Sequence, residues 1–258
     1  MDRRTMLAAT GAFLGTPLMA AVPGERPTRI RHYVIATHDM PFVCDQIYEV
    51  LGLPPTPRKP GPGVTEAYGF YSTMMRVGTT MLEIVQPIKP DHHLNAWLAE
   101  RGGDGGYMVV AQTYDDRALI ARAGAEWLKP SRDMMFKGQH MIQFDDRHFG
   151  AFFELYQYAP EDNWWGDPLN GPYGDARVAS DVIGGDVAVA DPAAIAAQAA
   201  RLFLGEQSGN SVRFGDRTIN FVPIEGKAHG LVALDLKARE QARVGDWARI
   251  GGVQFRFV

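Results

Sequence analysis

The chain has 258 residues, 46% hydrophobic and 22% charged, a composition that argues against disorder and a length that suits one large or two small domains. A formal net charge of −4 with no dense Lys/Arg block excludes a nucleic-acid or anionic-membrane surface as the main partner and leaves a small molecule. Cys44 is the only cysteine, which excludes an intramolecular disulfide.

Met1-Asp2-Arg3-Arg4-Thr5-Met6-Leu7 leads into an apolar, small-residue segment up to Ala21, the layout of an export signal, and Arg3-Arg4 resembles a bacterial twin-arginine (Tat) signal peptide. Residues 1–27 are therefore set outside the fold. The mature protein is expected to be periplasmic or secreted, free of the membrane once the signal is removed, with a homodimer left open.

A repeated pattern follows, in which a β-rich run ends in Asp and a helical stretch closes at Gly. In the first copy, Tyr33 to Asp39 precedes a helix from Met40 to Leu51, with Asp39 as N-cap, Pro41 in the first turn and Gly52 at the left-handed C-cap. The second runs Tyr107 to Asp116, then Arg117 to Ala123 and Gly124; the third runs Asp186 to Asp191, then Pro192 to Leu204 and Gly205. A weaker fourth runs Gly230 to Asp235, then a helix from Lys237 to Val244 and Gly245, ending in Val253 to Val258. Further β-like runs complete the modules: Ala67 to Tyr71, Met75 to Val77 and Met81 to Val85; Gln139 to Phe144 and Ala151 to Tyr158; and a hairpin of Ser211 to Phe214 with Arg217 to Val222. The unit is βαβββ, recurring about every 75 residues. It predicts an α+β fold of two half-open curved mixed sheets, with residues 28–159 as an N-terminal domain, 160–178 as a Gly/Pro/Asn-rich linker carrying Trp164-Trp165, and 179–258 as a partial C-terminal copy.

Three polar residues interrupt apolar strands: His32, Glu83 and Glu154. Burying an isolated carboxylate costs several kcal/mol, so such groups neutralise, pair or hold a metal. Period-two alternation points each from an apolar face. A structural alternative ties the glutamates to Arg76 or Arg147. No Gly-x-Ser-x-Gly elbow, phosphate loop or dinucleotide-binding glycine motif is present.

The repeat, the first-strand His and the last-strand Glu of successive modules resemble the vicinal oxygen chelate (VOC) superfamily, which includes glyoxalase I, methylmalonyl-CoA epimerase, extradiol dioxygenases and antibiotic-resistance proteins. The stretch from Leu94 to Tyr107 is similar to the one joining the first two modules of its epimerase-like and glyoxalase-like members. The resemblance implies a divalent metal ion (Zn, Mn, Ni, Co or Fe) held by His32, Glu83 and Glu154. Val109, or Met108 in the neighbouring register, stands where a second histidine is expected. His140, Gln143 or Gln112 are candidates to complete the shell. It implies a metal-assisted lyase or isomerase acting on a small oxygenated substrate, with Glu154 as ligand or catalytic base and Tyr68, Tyr71 and Tyr156 as substrate-binding walls. The alternatives are a metal-free small-molecule-binding protein of the same fold and an extradiol-type dioxygenase. An exported protein is not expected to meet coenzyme A thioesters.

Overall fold

A computed structural model describes residues 25–53, 64–158, 176–226 and 229–258; the signal-like segment up to residue 24 and the Trp164-Trp165 stretch lie outside the described residues. The N-terminal half comprises β1 (Arg29–Ala36), α1 (Met40–Leu51), α2 (Val64–Tyr68), β2 (Phe70–Val77), β3 (Thr80–Pro87), α3 (His93–Arg101), β4 (Gly105–Gln112), α4 (Asp116–Ala125), β5 (Arg132–Phe136), β6 (Gln139–Phe144), α5 (Asp146–Phe149) and β7 (Phe152–Gln157). The C-terminal half adds β8 (Ala179–Val189), α6 (Pro192–Phe203), β9 (Glu206–Ser208), β10 (Ser211–Phe214), β11 (Arg217–Pro223), β12 (Gly230–Ala238), β13 (Trp247–Ile250) and β14 (Val253–Phe257).

Asp starts and Pro near the first turn set the helices close to where the sequence places them, with α4 starting one residue earlier, at Asp116, behind Asp115 as N-cap. Asp39, Asp115 and Asp191 each accept the backbone N–H three residues on, from Phe42, Ala118 and Ala194, at 3.0, 2.9 and 3.0 Å. The ends differ in part. Gly52 is the left-handed cap of α1 (φ 62°), but α4 runs past Gly124 to Ala125, and Leu204, not Gly205, takes the left-handed cap of α6 (φ 57°). Gly205 serves another need: a Cβ there would lie 2.4 Å from Val212 Cγ1 and 2.7 Å from Phe214 Cε1. Two expected elements are corrected. The run from Ala67 to Tyr71 is split, with Tyr68 closing α2 and β2 starting at Phe70. No fourth helix follows Asp235: β12 continues to Ala238, and only a 3₁₀ turn at Gln241–Arg243 precedes β13.

Instead of the two separate sheets expected, the strands of the described residues form one continuous 14-stranded mixed sheet with two seven-stranded halves, ordered β2-β3-β1-β4-β7-β6-β5 and β9-β10-β11-β8-β12-β14-β13, because β4 also pairs with β12. Each pairs its two modules through antiparallel first strands, β1 with β4 and β8 with β12. The halves join at Leu231 opposite Gly106. Glycine is required there, because a Cβ would lie 2.1 Å from the Leu231 carbonyl oxygen.

Alternation along the strands sorts side chains to two faces. Tyr33, Ile35, Val109, Phe153 and Leu155 join a core shared with α1, α4, α6 and the C-terminal sheet, where Phe203 of α6 stacks on Phe153 with ring centroids 5.2 Å apart. Val34, Met81, Met108, Val110 and Tyr156 line the opposite, concave face of the N-terminal sheet. The first face fixes the sheet; the second is free to form a site. No helix among the described residues is long and apolar enough to cross a membrane.

Candidate active site

The concave face encloses a cavity of about 650 Å³ whose floor carries His32, Glu83 and Glu154. Parallel pairing sets them: β1 lies beside β3 with Val34 opposite Glu83, and β4 lies beside β7 with Val110 opposite Glu154. His32 is two residues before Val34 and so shares its face. Its Nε2 lies 3.2 Å from Glu83 Oε2, and Ser72 of β2 donates its hydroxyl to Glu83 Oε1. Burial pushes the Glu83 carboxyl up, but the hydrogen bonds and charge interaction with His32 and the Ser72 hydroxyl outweigh it, so Glu83 lies below the ordinary glutamate range.

Glu154 has the opposite setting. Tyr156, two residues along β7, donates its hydroxyl to Oε1 at 2.7 Å, and the Gln143 amide of β6 donates to Oε2 at 2.8 Å. Burial raises its pKa, helped by the negative Glu83, and these outweigh Tyr156, His32 and Gln143, so Glu154 keeps its proton to higher pH than an ordinary glutamate. Burial first, then Glu154, push the Tyr156 phenol far up, so it remains a donor. Two carboxylates thus share one cavity, one supported by an imidazole and a hydroxyl, the other by neutral donors.

The register decides between Val109 and Met108 at the remaining position. Since His32 precedes the partner of Glu83 by two and Met108 precedes the partner of Glu154 by two, the position matching His32 in the second module is Met108, which lines the cavity; Val109 faces the core. Among the described residues, no group of three or more His, Cys, Asp or Glu side chains is placed to hold a metal ion. The donors explain why: both Glu154 oxygens accept from Gln143 and Tyr156, the His32 Nε2 is directed at Glu83, and a thioether occupies the fourth corner. The residues do not fit a divalent ion as they stand.

Of the other expected residues, Tyr68 and Tyr156 line the cavity, and Gln143 reaches the floor. Tyr71 does not: β2 alternates, so Phe70, Ser72 and Met74 face the cavity, whereas Tyr71 and Thr73 border a separate cleft of about 150 Å³ against α1. His140 points away, with Nδ1 2.6 Å from Asp116 and Nε2 2.7 Å from Asp133. Gln112 accepts from the buried Arg31 at 2.8 Å. Arg147 pairs with Asp145 rather than with either glutamate. The sequence reading missed Ser72, which strict alternation from Glu83 and its β2 partner could have found, and the rim residues Lys89, His92, His93, Arg132 and Lys137.

The C-terminal sheet keeps the scaffold without the site. Parallel pairs Asp186–Asn220 and Asp235–Arg256 match Val34–Glu83 and Val110–Glu154, which puts Gly184, Asn220, Ala233 and Arg256 at the four positions held by His32, Glu83, Met108 and Glu154. Arg256 pairs with Asp186 at 2.6 Å and Asp235 at 2.7 Å, and Asn220 donates to Asp186 at 2.9 Å. The cluster satisfies itself.

No protein-family model and no curated protein matches the chain. Among solved structures, a hypothetical protein from Staphylococcus aureus is similar over 90% of this chain and 98% of its own, at 12% identity and a TM-score of 0.62. Methylmalonyl-CoA epimerase from Mycobacterium tuberculosis is similar over 52% of this chain and 91% of its own, at 14% identity and a TM-score of 0.43. A variant of Streptomyces coelicolor methylmalonyl-CoA epimerase in complex with 2-nitronate-propionyl-CoA covers 50% of this chain and 96% of its own, at 21% identity and a TM-score of 0.42. With its paired modules and one large mixed sheet, the chain has the glyoxalase-like α+β fold.

Proposed function

We propose that the N-terminal cup is the active site of an isomerase or lyase that moves a proton on a small oxygenated substrate, without a metal ion. The observation that carries this reading is the pair of unlike carboxylates on one cavity floor, Glu83 beside His32 and Ser72, Glu154 beside Tyr156 and Gln143. Glu83, ionised, takes a proton from the carbon next to a carbonyl; the C–H electron pair moves into the carbonyl to give an enolate. Glu154, carrying its proton, returns one to that carbon from the other side, or to the neighbouring atom in an isomerisation. Glu83 ends protonated and Glu154 ionised, and exchange with solvent resets them. His32 is a positioning residue that holds Glu83 in its basic form.

A second reading, ligand capture without turnover, is favoured by one feature: Met74, Met108, Met134 and Met141 all line the cavity, and methionine walls adapt to ligands of varied shape. The leader-like residues 1–27 support action outside the cytoplasm. The test is proton NMR in deuterium oxide with a panel of 2-oxo acids, 3-oxo acids and hydroxyketones. Deuterium incorporation by the wild type that is lost in Glu83→Gln and Glu154→Gln supports catalysis. Saturable binding with no exchange leaves the capture reading.

A further inference from the structure

The cavity is charged differently at its floor and at its mouth. Its mouth carries three cations, Lys89, Arg132 and Lys137, all on exposed residues, against one carboxylate, Asp91. Arg132 and Lys137 belong to the β5–β6 hairpin, and Arg132 lies opposite Gln143, the residue that donates to Glu154. Between mouth and floor the walls are apolar, with Phe70, Phe136, Met74 and Val85.

Lys137 stands out by its backbone. It sits with Gly138 in the two-residue turn joining Phe136 to Gln139, at φ 48°, with Gly138 at φ 77°. Two positive φ values are the pattern of a tight hairpin turn in which Asn-Gly is the usual pair. A lysine there is strained, and such outliers persist where the side chain has a task. Its ammonium lies 5.5 Å from the Phe136 ring centroid at the cavity wall and is felt by Glu83 on the floor, while burial draws its pKa down. The same crowding lowers both rim imidazoles: burial, then Arg132, draws His92 down, and burial, then the neighbouring His92 and Arg132, bring His93 down to about 4.

We infer that the mouth of the N-terminal cup is an anion subsite, formed by Lys89, Arg132 and Lys137, which holds a carboxylate, phosphate or sulfonate group of a ligand whose apolar body and reacting head reach toward Glu83 and Glu154. This rests on the reading of the cup as the substrate site, and it names the substrate class: an amphiphile with an oxyanion at one end. Rim charges act in partly screened surroundings, each cation contributing about threefold in affinity and Asp91 opposing by about as much, so together they give on the order of tenfold.

Matched dyes test it. 8-Anilino-1-naphthalenesulfonate and its uncharged relative N-phenyl-1-naphthylamine share one ring system and differ by the sulfonate. The wild type should bind the sulfonate about tenfold more tightly at low salt, with the advantage shrinking as salt is added. Lys137→Asn, which suits the turn and removes the charge, and Arg132→Gln should each cut the sulfonate affinity about threefold and leave the neutral dye unchanged. Displacement by hexanoate or by hexyl phosphate, with hexanol as the neutral control, tells carboxylate from phosphate preference. Equal binding of the two dyes, or variants that lower both alike, would overturn the anion subsite. Because the dyes undergo no proton transfer, a sulfonate preference without deuterium exchange removes only the catalytic reading, and exchange without the preference removes only the subsite.

Discussion

The Tyr156 hydroxyl donates to Oε1 of Glu154 at 2.7 Å from two residues along the same strand, so one turn of the β pleat supplies both an acid and the donor that steadies its ionised form. Tyr156→Phe should push Glu154 further up and cost more at pH 8 than at pH 5. The sign follows from linkage: a carboxyl raised in the folded state contributes stability below the ordinary glutamate range and loses it as pH rises through the folded value. A lost hydrogen bond to a charged group is worth about 1.5–3 kcal/mol at the higher pH. Urea denaturation at the two pH values measures the difference, and equal costs would mean that the hydroxyl does not support an ionised Glu154.

Caps and alternation made most of the fold legible. Asp39, Asp115 and Asp191 announce three helices through an elementary need for N–H acceptors, and the hairpin at Gly215-Asp216 forms where turn chemistry places it. The fourth helix failed because Leu234 and Leu236 are buried at period two, and that sheet-face pattern outweighed the helical spacing after Asp235. His32, Glu83 and Glu154 stood out because charge is rare in apolar strands, and the folded chain brings all three to one cavity. Tyr71 misled because composition does not say which face of β2 a tyrosine takes; only pairing with β3 does. The rim was invisible for a different reason: Lys89 and Lys137 lie in turns far apart in sequence, and only the closure of the cup puts them at one mouth.

His140 ties the β5–β6 hairpin to the start of α4, with Asp116 on one nitrogen and Asp133 on the other. Hydrogen bonds donated to these two carboxylates raise its pKa. Stability from a raised histidine is fully present below its ordinary value near 6.5 and is lost as pH rises through the folded value. His140→Ala should therefore destabilise more at pH 6 than at pH 9, as measured by denaturation midpoints. The reverse order would rule out the doubly bonded imidazolium.

Arg217 is 1% exposed and bonds Thr79 and Thr80 from the β2–β3 turn together with Asp181 and the Val182 carbonyl of β8. It joins the two halves of the sheet through a buried charge. Arg217→Met removes the cation but leaves Thr79 and Thr80 donating to Asp181 at 2.9 and 2.8 Å, and should cost about 1.5–3 kcal/mol, the loss of hydrogen bonds to a charged group. A loss below about 1 kcal/mol in chemical denaturation would show that the network is not needed to join the halves.

With Met108 at the fourth corner and Glu154 already engaged, the purified protein should carry well under one divalent ion per chain, and chelation should leave its ligand binding and turnover unchanged. Plasma mass spectrometry gives the content. A stoichiometric ion that is lost in His32→Ala would restore a metal centre to this floor.

The most direct measurement is a carbon-13 NMR titration of the glutamate side-chain carboxyls in wild type, with Glu83→Gln and Glu154→Gln to assign the two resonances. The expected result is one carboxyl titrating below the ordinary glutamate range, absent in Glu83→Gln, and one titrating above it, absent in Glu154→Gln. Two carboxyls titrating together at the ordinary value would contradict the division of the floor into a base and an acid, and with it the proton-transfer reading of the cup.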